Sequence, residues 1–239
     1  MSLGEAMEQL RRVRDDVGVL ADRQGALNRE MERMPAEVDP QEGRGMADDQ
    51  EELAESADGL GETLDEGSYF KDLRTLIGRA SDHMRGGSAS ASRGDAAAAA
   101  REGRRAQRAL VEAGDRANEM IRHLASRQVS DLAKAVSRLG DMQGEAAGYS
   151  RKAGNEAPPG PPEGTSRAMR EAQSKIADQA RSAAARAEQL AGQLADEFPD
   201  AASALSEAAA SSRKANLEGT MERAGNALAV GGGQLDRAL

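Results

Sequence analysis

Across 239 residues the chain has 47 Ala, 27 Arg, 26 Gly and 20 Leu, but only 8 Val, 3 Ile, 4 Thr, 2 Phe, 2 Tyr and neither Trp nor Cys. So few β-branched and aromatic residues exclude α/β and all-β folds, and 33 Leu, Ile, Val and Phe are too few for one large core. A formal charge of −9, from 41 acidic against 32 basic residues, argues against nucleic-acid binding, which needs a basic surface to release counterions.

The first predicted helix covers about 3–34. Leu3, Ala6, Leu10, Val13, Val17, Leu20, Gln24, Leu27, Met31 and Met34 fall at alternating steps of three and four, the seam of a coiled coil with Gln24 its one polar break. Pro35, Pro40, Gly43 and Gly45 read as the connection that follows. A second helix, about 46–66, carries Met46, Gln50, Leu53, Ala57, Leu60 and Leu64 at heptad steps. Leu20-Ala21-Asp22-Arg23-Gln24-Gly25-Ala26-Leu27 recurs 26 residues later as Met46-Ala47-Asp48-Asp49-Gln50-Glu51-Glu52-Leu53, and Leu124-Ala125-Ser126-Arg127-Gln128 is a looser copy. The short connection predicts an antiparallel hairpin. Gln24 and Gln50, on matching seam positions, are expected to fix its register by hydrogen bonding.

A third helix is predicted over about 69–85, capped by Ser68, with Phe70, Leu73, Leu76, Ile77 and Ala80 on one side. Gly86 to Gly94 reads as a flexible loop. Asp95 caps a long Ala-rich helix, about 95–152, with Leu110, Ala113, Ala117, Ile121, Leu124, Leu132, Leu139 and Met142 on its apolar side and a bend expected near 126–130. Four prolines within 154–165 form a semi-rigid linker that ends a first domain, 1–153. Beyond it a second hairpin, 166–239, is predicted from helices at about 166–197 and 200–229, with an unfinished apolar pattern over 234–239. A weaker repeat relates 79–84 to 223–228. The expected fold is all-α: elongated antiparallel helical hairpins making a coiled-coil-like bundle with Ala-rich seams and no sheet.

Chemical signals are sparse. Without cysteine there are no disulfides, thiolate metal sites or thiol nucleophiles. His83 and His123 fall on different helices, and Asp82 beside His83 points to another face, so both read as solvated side chains. No nucleophile motif or phosphate-binding glycine loop occurs, and no catalytic residue, cofactor, metal or small-molecule substrate is expected. Arg101, Arg104, Arg105 and Arg108 cluster beside one face and read as solvated, near Glu102 and Glu112. Gly140, Gly144 and Gly148 offer a flat stripe for contact with another helix. Met7, Met31, Met34, Met46 and Met84 read as adaptable core residues. No apolar run approaches the ~20 residues of a membrane span. The opening Met1-Ser2-Leu3-Gly4-Glu5 lacks the basic and apolar parts of a signal peptide, which makes the cytoplasm the default expectation.

The Leu/Met-Ala-Asp-x-Gln-x-x-Leu repeats, with the stretch from Gly94 to Leu110, resemble the Gln/Ala-rich helical array regions of very large membrane-anchored bacterial proteins of unknown function. That resemblance implies a soluble portion of a larger, periplasmic protein and supplies no catalytic residues. The reading that unites these features is a non-enzymatic structural or protein-interaction scaffold, part of a larger helical array. Its interaction seam would be Leu10, Val13, Val17, Leu20, Gln24, Leu27, Gln50, Leu53, Leu60 and Leu64, and its partners itself or other helical segments. The alternative is an amphipathic surface-coating or protectant protein that folds on a granule, on a membrane or during dehydration.

Overall fold

The structure, a computed structural model, describes residues 3–35, 38–64, 68–155 and 163–214. Among these it is all-α, with no strand: α1 Leu3–Arg33, α2 Pro40–Thr63, a 3-10 turn Ser68–Phe70, α3 Lys71–Ala91, α4 Ala96–Asn155, α5 Glu163–Leu194 and α6 Pro199–Lys214. The chain forms two compact units, Met1–Leu124 and Ala125–Leu239. The division falls inside α4 and not at the proline-rich stretch. Gly154 still belongs to α4, Glu163 to Thr165 open α5, and 156–162 lie outside the described residues. Burial explains the boundary: α4 contributes buried side chains up to Leu124 and Ala125, and no residue from Ser126 to Gly148 is buried. α4 is continuous helix through 126–130, where a bend is expected from the sequence.

In the first unit, side-chain pairings fix the helix order. Gln9 donates to the Thr63 carbonyl at 2.8 Å and Arg23 meets Glu52 at 2.7 Å, so α1 and α2 run antiparallel. Gly61 lies beside Ile77, Ser81 donates to the Ala54 carbonyl and Gly87 lies beside Gln50, which sets α3 antiparallel to α2. Arg116 reaches Asp72 and His83 reaches Glu102, placing α4 antiparallel to α3. Asn28 bonds Gln107 and Arg104 meets Glu32, so α4 closes back on α1. The result is an up-and-down four-helix arrangement. Its fully buried side chains include Met7, Leu10, Met31, Leu64, Phe70, Leu73, Ile77, Met84, Leu110 and Ile121. Ala54, Ala57, Ala80, Ala99, Ala106, Ala113 and Ala117 lie between them with no more than 1% exposure.

Three predicted boundaries are corrected. α2 begins at Pro40 and not at Met46, because Asp39 accepts from the Gln41 N–H at 2.8 Å and proline at the first helical position lacks only an N–H that would go unpaired. α3 opens after the 3-10 turn, with Phe70 and not Ser68 at its cap and no side-chain cap bond. It then runs through the supposed loop to Ala91. Leu73, Ile77, Ala80, Met84, Gly87 and Ala91 keep one seam rhythm and are all buried, so packing overrides the poor helix propensity of Gly and Ser. Asp95 caps α4 as expected, accepting from the Ala98 N–H at 2.8 Å.

At this end of the first unit the two connections are stitched together. The Val38 N–H donates to the Gly94 carbonyl at 3.2 Å. Gly94 has φ +75, a conformation that a Cβ disfavours.

In the second unit α5 and α6 form a hairpin across the turn at 195–197, where Phe198 N–H donates to the Leu194 carbonyl at 2.8 Å. Ile176, Leu190, Ala191, Leu194, Ala202 and Ala209 are buried there. α5 ends at Leu194, three residues before the predicted 197, because that turn closes it. The part of the last helix predicted beyond Lys214, the repeat copy at 223–228 and the pattern over 234–239 lie outside the described residues.

Candidate functional site: a buried amide layer

All ten side chains of the predicted interaction seam lie in the interior of the first unit. Leu10, Val13, Val17, Leu20, Leu27, Leu53, Leu60 and Leu64 are buried, and Gln24 and Gln50 are at 0% exposure. The seam is turned inward, between helices of the same unit.

Its polar members form the most unusual chemistry in the described residues. The Arg23–Glu52 pair puts Gln24 and Gln50 within about a residue of the same level on α1 and α2. The expected hydrogen bond between them is not formed. Gln24 Nε2 donates to Asn28 Oδ1 at 2.9 Å, one turn along α1, and Asn28 Nδ2 donates to Gln107 Oε1 at 3.2 Å on α4. Gln24 Oε1 and both amide atoms of Gln50 have no partner. An unsatisfied buried amide group costs roughly 1–3 kcal/mol, so this layer subtracts from stability.

Room for the amides comes from the facing helices. A Cβ added at Gly87 of α3 would lie 3.1 Å from Gln50 Oε1. One added at Gly103 of α4 would collide with Asn28 Oδ1 and lie 2.7 Å from Gln24 Nε2. Sequence reasoning found Gln24 and Gln50 as breaks in the seam. It missed Asn28, Gln107 and the two glycines, because the network joins residues 79 positions apart. The only local signal was that Gly87 and Gly103 sit in step with buried positions of their own helices.

Charged side chains tie the bundle from outside. Arg85 lies between Asp58 and Glu51, and its guanidinium pKa is raised, first by the hydrogen bond to Asp58 and then by the charges of Asp58, Glu51 and Asp82. Arg116 is raised likewise by hydrogen bonds to Glu119 and Asp72. Of the predicted Arg cluster, Arg104 meets Glu32 and Arg105 meets Glu102, each at 2.5 Å. Arg104 and Arg108 also border an open groove on α4 with Gln107, Val111, Glu112 and Asp115.

His83 is not merely solvated. Its Nδ1 lies 2.8 Å from Glu102 Oε2, and the other oxygen of Glu102 holds Arg105. The carboxylate comes from the next helix in space, which helical spacing along one helix could not reveal. His123 is exposed. A Cβ at Gly140, Gly144 or Gly148 would meet nothing within 4 Å, so this stripe faces open space and not a packed helix. Met7, Met31, Met46 and Met84 are buried, and Met34 is partly exposed.

Among the described residues no group of three or more His, Cys, Asp or Glu stands close enough to hold a metal ion, and no helix is long and apolar enough to cross a membrane. In the second unit Gln128 and Gln173 each bury an amide oxygen with no partner; Gln128 belongs to the third copy of the sequence repeat. Comparison with protein-family models, curated proteins and solved structures finds no match to this chain.

Proposed function

We propose that this chain is a non-enzymatic structural or interaction scaffold, one segment of a larger array of coiled-coil-like helices. The observation that carries the reading is the use made of its polar side chains. The buried amides occupy one layer across a helical seam, where polar groups serve register more than stability. The arginines bridge neighbouring helices, as Arg23, Arg85, Arg104 and Arg116 do. The Gln-bearing repeat returns at Gln128 in the second unit, as an array built from one type of helical segment requires. Its partners would be other helical segments, its own or another chain's.

The test is far-UV circular dichroism of the full chain at two concentrations about fifty-fold apart, with sedimentation to give the mass. A scaffold is helical in plain buffer and melts cooperatively, with a midpoint that rises with concentration where copies associate. A coil-like spectrum at both concentrations, turning helical only with lipid vesicles or on drying, would overturn the reading in favour of a surface-coating protein.

A further inference from the structure

We propose that the amide layer is a matching code deciding which helical hairpin packs on which. The first unit consists of two hairpins whose contents complement each other at this level. The α1–α2 hairpin brings the amides Gln24, Asn28 and Gln50 and one notch, Gly25, and the α3–α4 hairpin brings the notches Gly87 and Gly103 and one amide, Gln107, which lies against Gly25. Each amide projects over a notch on the other hairpin: Gln50 over Gly87, and Gln24 with Asn28 over Gly103. Size and polarity both enter the match.

Like-with-like pairing fails on physical grounds. Two amide hairpins would crowd a double set of amides into one layer, where orphan donors and acceptors already exist. Two α3–α4 hairpins would set notch against notch, leave Gln107 without Asn28 and Gly25, and open a void, because the core collapses only partly around missing atoms. A partly unsatisfied layer is thus retained because it rejects wrong partners more strongly than it weakens the right one. The code recognises a partner by one feature, a pair of glycine notches at the level of the amides. It concerns the pairing of hairpins and does not depend on the scaffold reading.

A thermodynamic cycle on the full chain tests this. The notch-filled variant is Gly87→Ala with Gly103→Ala, and the amide-trimmed variant is Gln24→Ala, Asn28→Ala and Gln50→Ala; the combined variant carries all five. Filling the notches alone should lower the thermal midpoint by roughly ten degrees. The combined variant should regain at least half of that loss, because the methyl groups then enter space the amides have left. The amide-trimmed variant should keep its helicity but sediment with a broader range of masses than wild type, as hairpins pair less selectively. Filling the open Gly18 and Gly59 instead should show no such coupling. A combined variant no better folded than the notch-filled one, or losses that simply add, overturns the code; so does an amide-trimmed variant with wild-type sedimentation.

Discussion

A methyl group added at Gly43 would meet the Ala91 carbonyl oxygen at 2.5 Å, whereas at Gly18, Gly45 or Gly59 it would meet nothing within 4 Å. The first glycine lets the start of α2 approach the end of α3 backbone to backbone, and the others cost helix propensity without a packing return. Gly43→Ala should therefore destabilise the first unit by about 1–3 kcal/mol. Gly18→Ala and Gly59→Ala should each stabilise it by roughly 0.5–1 kcal/mol. Urea unfolding monitored at 222 nm distinguishes the two signs. The sequence alone shows these glycines as equivalent interruptions of helical pattern, since what separates them is the neighbouring helix. Gln24 and Gln50 were legible for the opposite reason: a polar residue on an apolar seam stands out without knowledge of its surroundings.

Among the elements, α1 was the most legible, because a seam sustained from Leu10 to Met31 has few non-helical explanations and each of its members proves buried. The second half of α3 was the least, since Gly86-Gly87-Ser88-Ala89-Ser90 is loop-like in local propensity and helical only because Gly87 and Ser90 face the interior. The start of α2 carried the right signal, an Asp followed by Pro, which was read as a break when it was a beginning. Asp39→Ala should cost about 0.5–2 kcal/mol through loss of that cap, measurable in the same unfolding experiment. α4 calls for a different measurement. Its side chains are buried up to Ala125 and none is buried from Ser126 to Gly148, so backbone protection should fall along one continuous helix. Hydrogen exchange read by mass spectrometry should show slow amides before Leu124 and exchange at least tenfold faster across 130–145. Uniform protection along α4 would contradict this account.

For the molecule as a whole, the division into two units changes what composition means. The chain is too poor in large apolar residues for one core, and the first unit compensates by placing alanines and glycines where helices meet, which brings backbones close at little buried area. Its interhelical ion pairs are exposed: the Arg23 and Glu52 side chains are 49% and 64% accessible. Raising salt to 1 M should therefore shift the thermal midpoint by only a few degrees, because exposed pairs contribute little and are readily screened. The stitching of Val38 to Gly94 has a mechanical consequence. That bond joins the two connections at one end of the first unit. Val17 lies beside Gly114 and Asn28 beside Gln107, so the antiparallel run of α1 and α4 brings the start of α1 and Leu124 together at the opposite end. Tension entering at one of these points and leaving at the other pulls two neighbouring helices apart from the same end. Their contacts then bear the load one turn at a time instead of sharing it in shear. Loaded in this way, the first unit should open like a zipper, at lower force than the same helices pulled in shear.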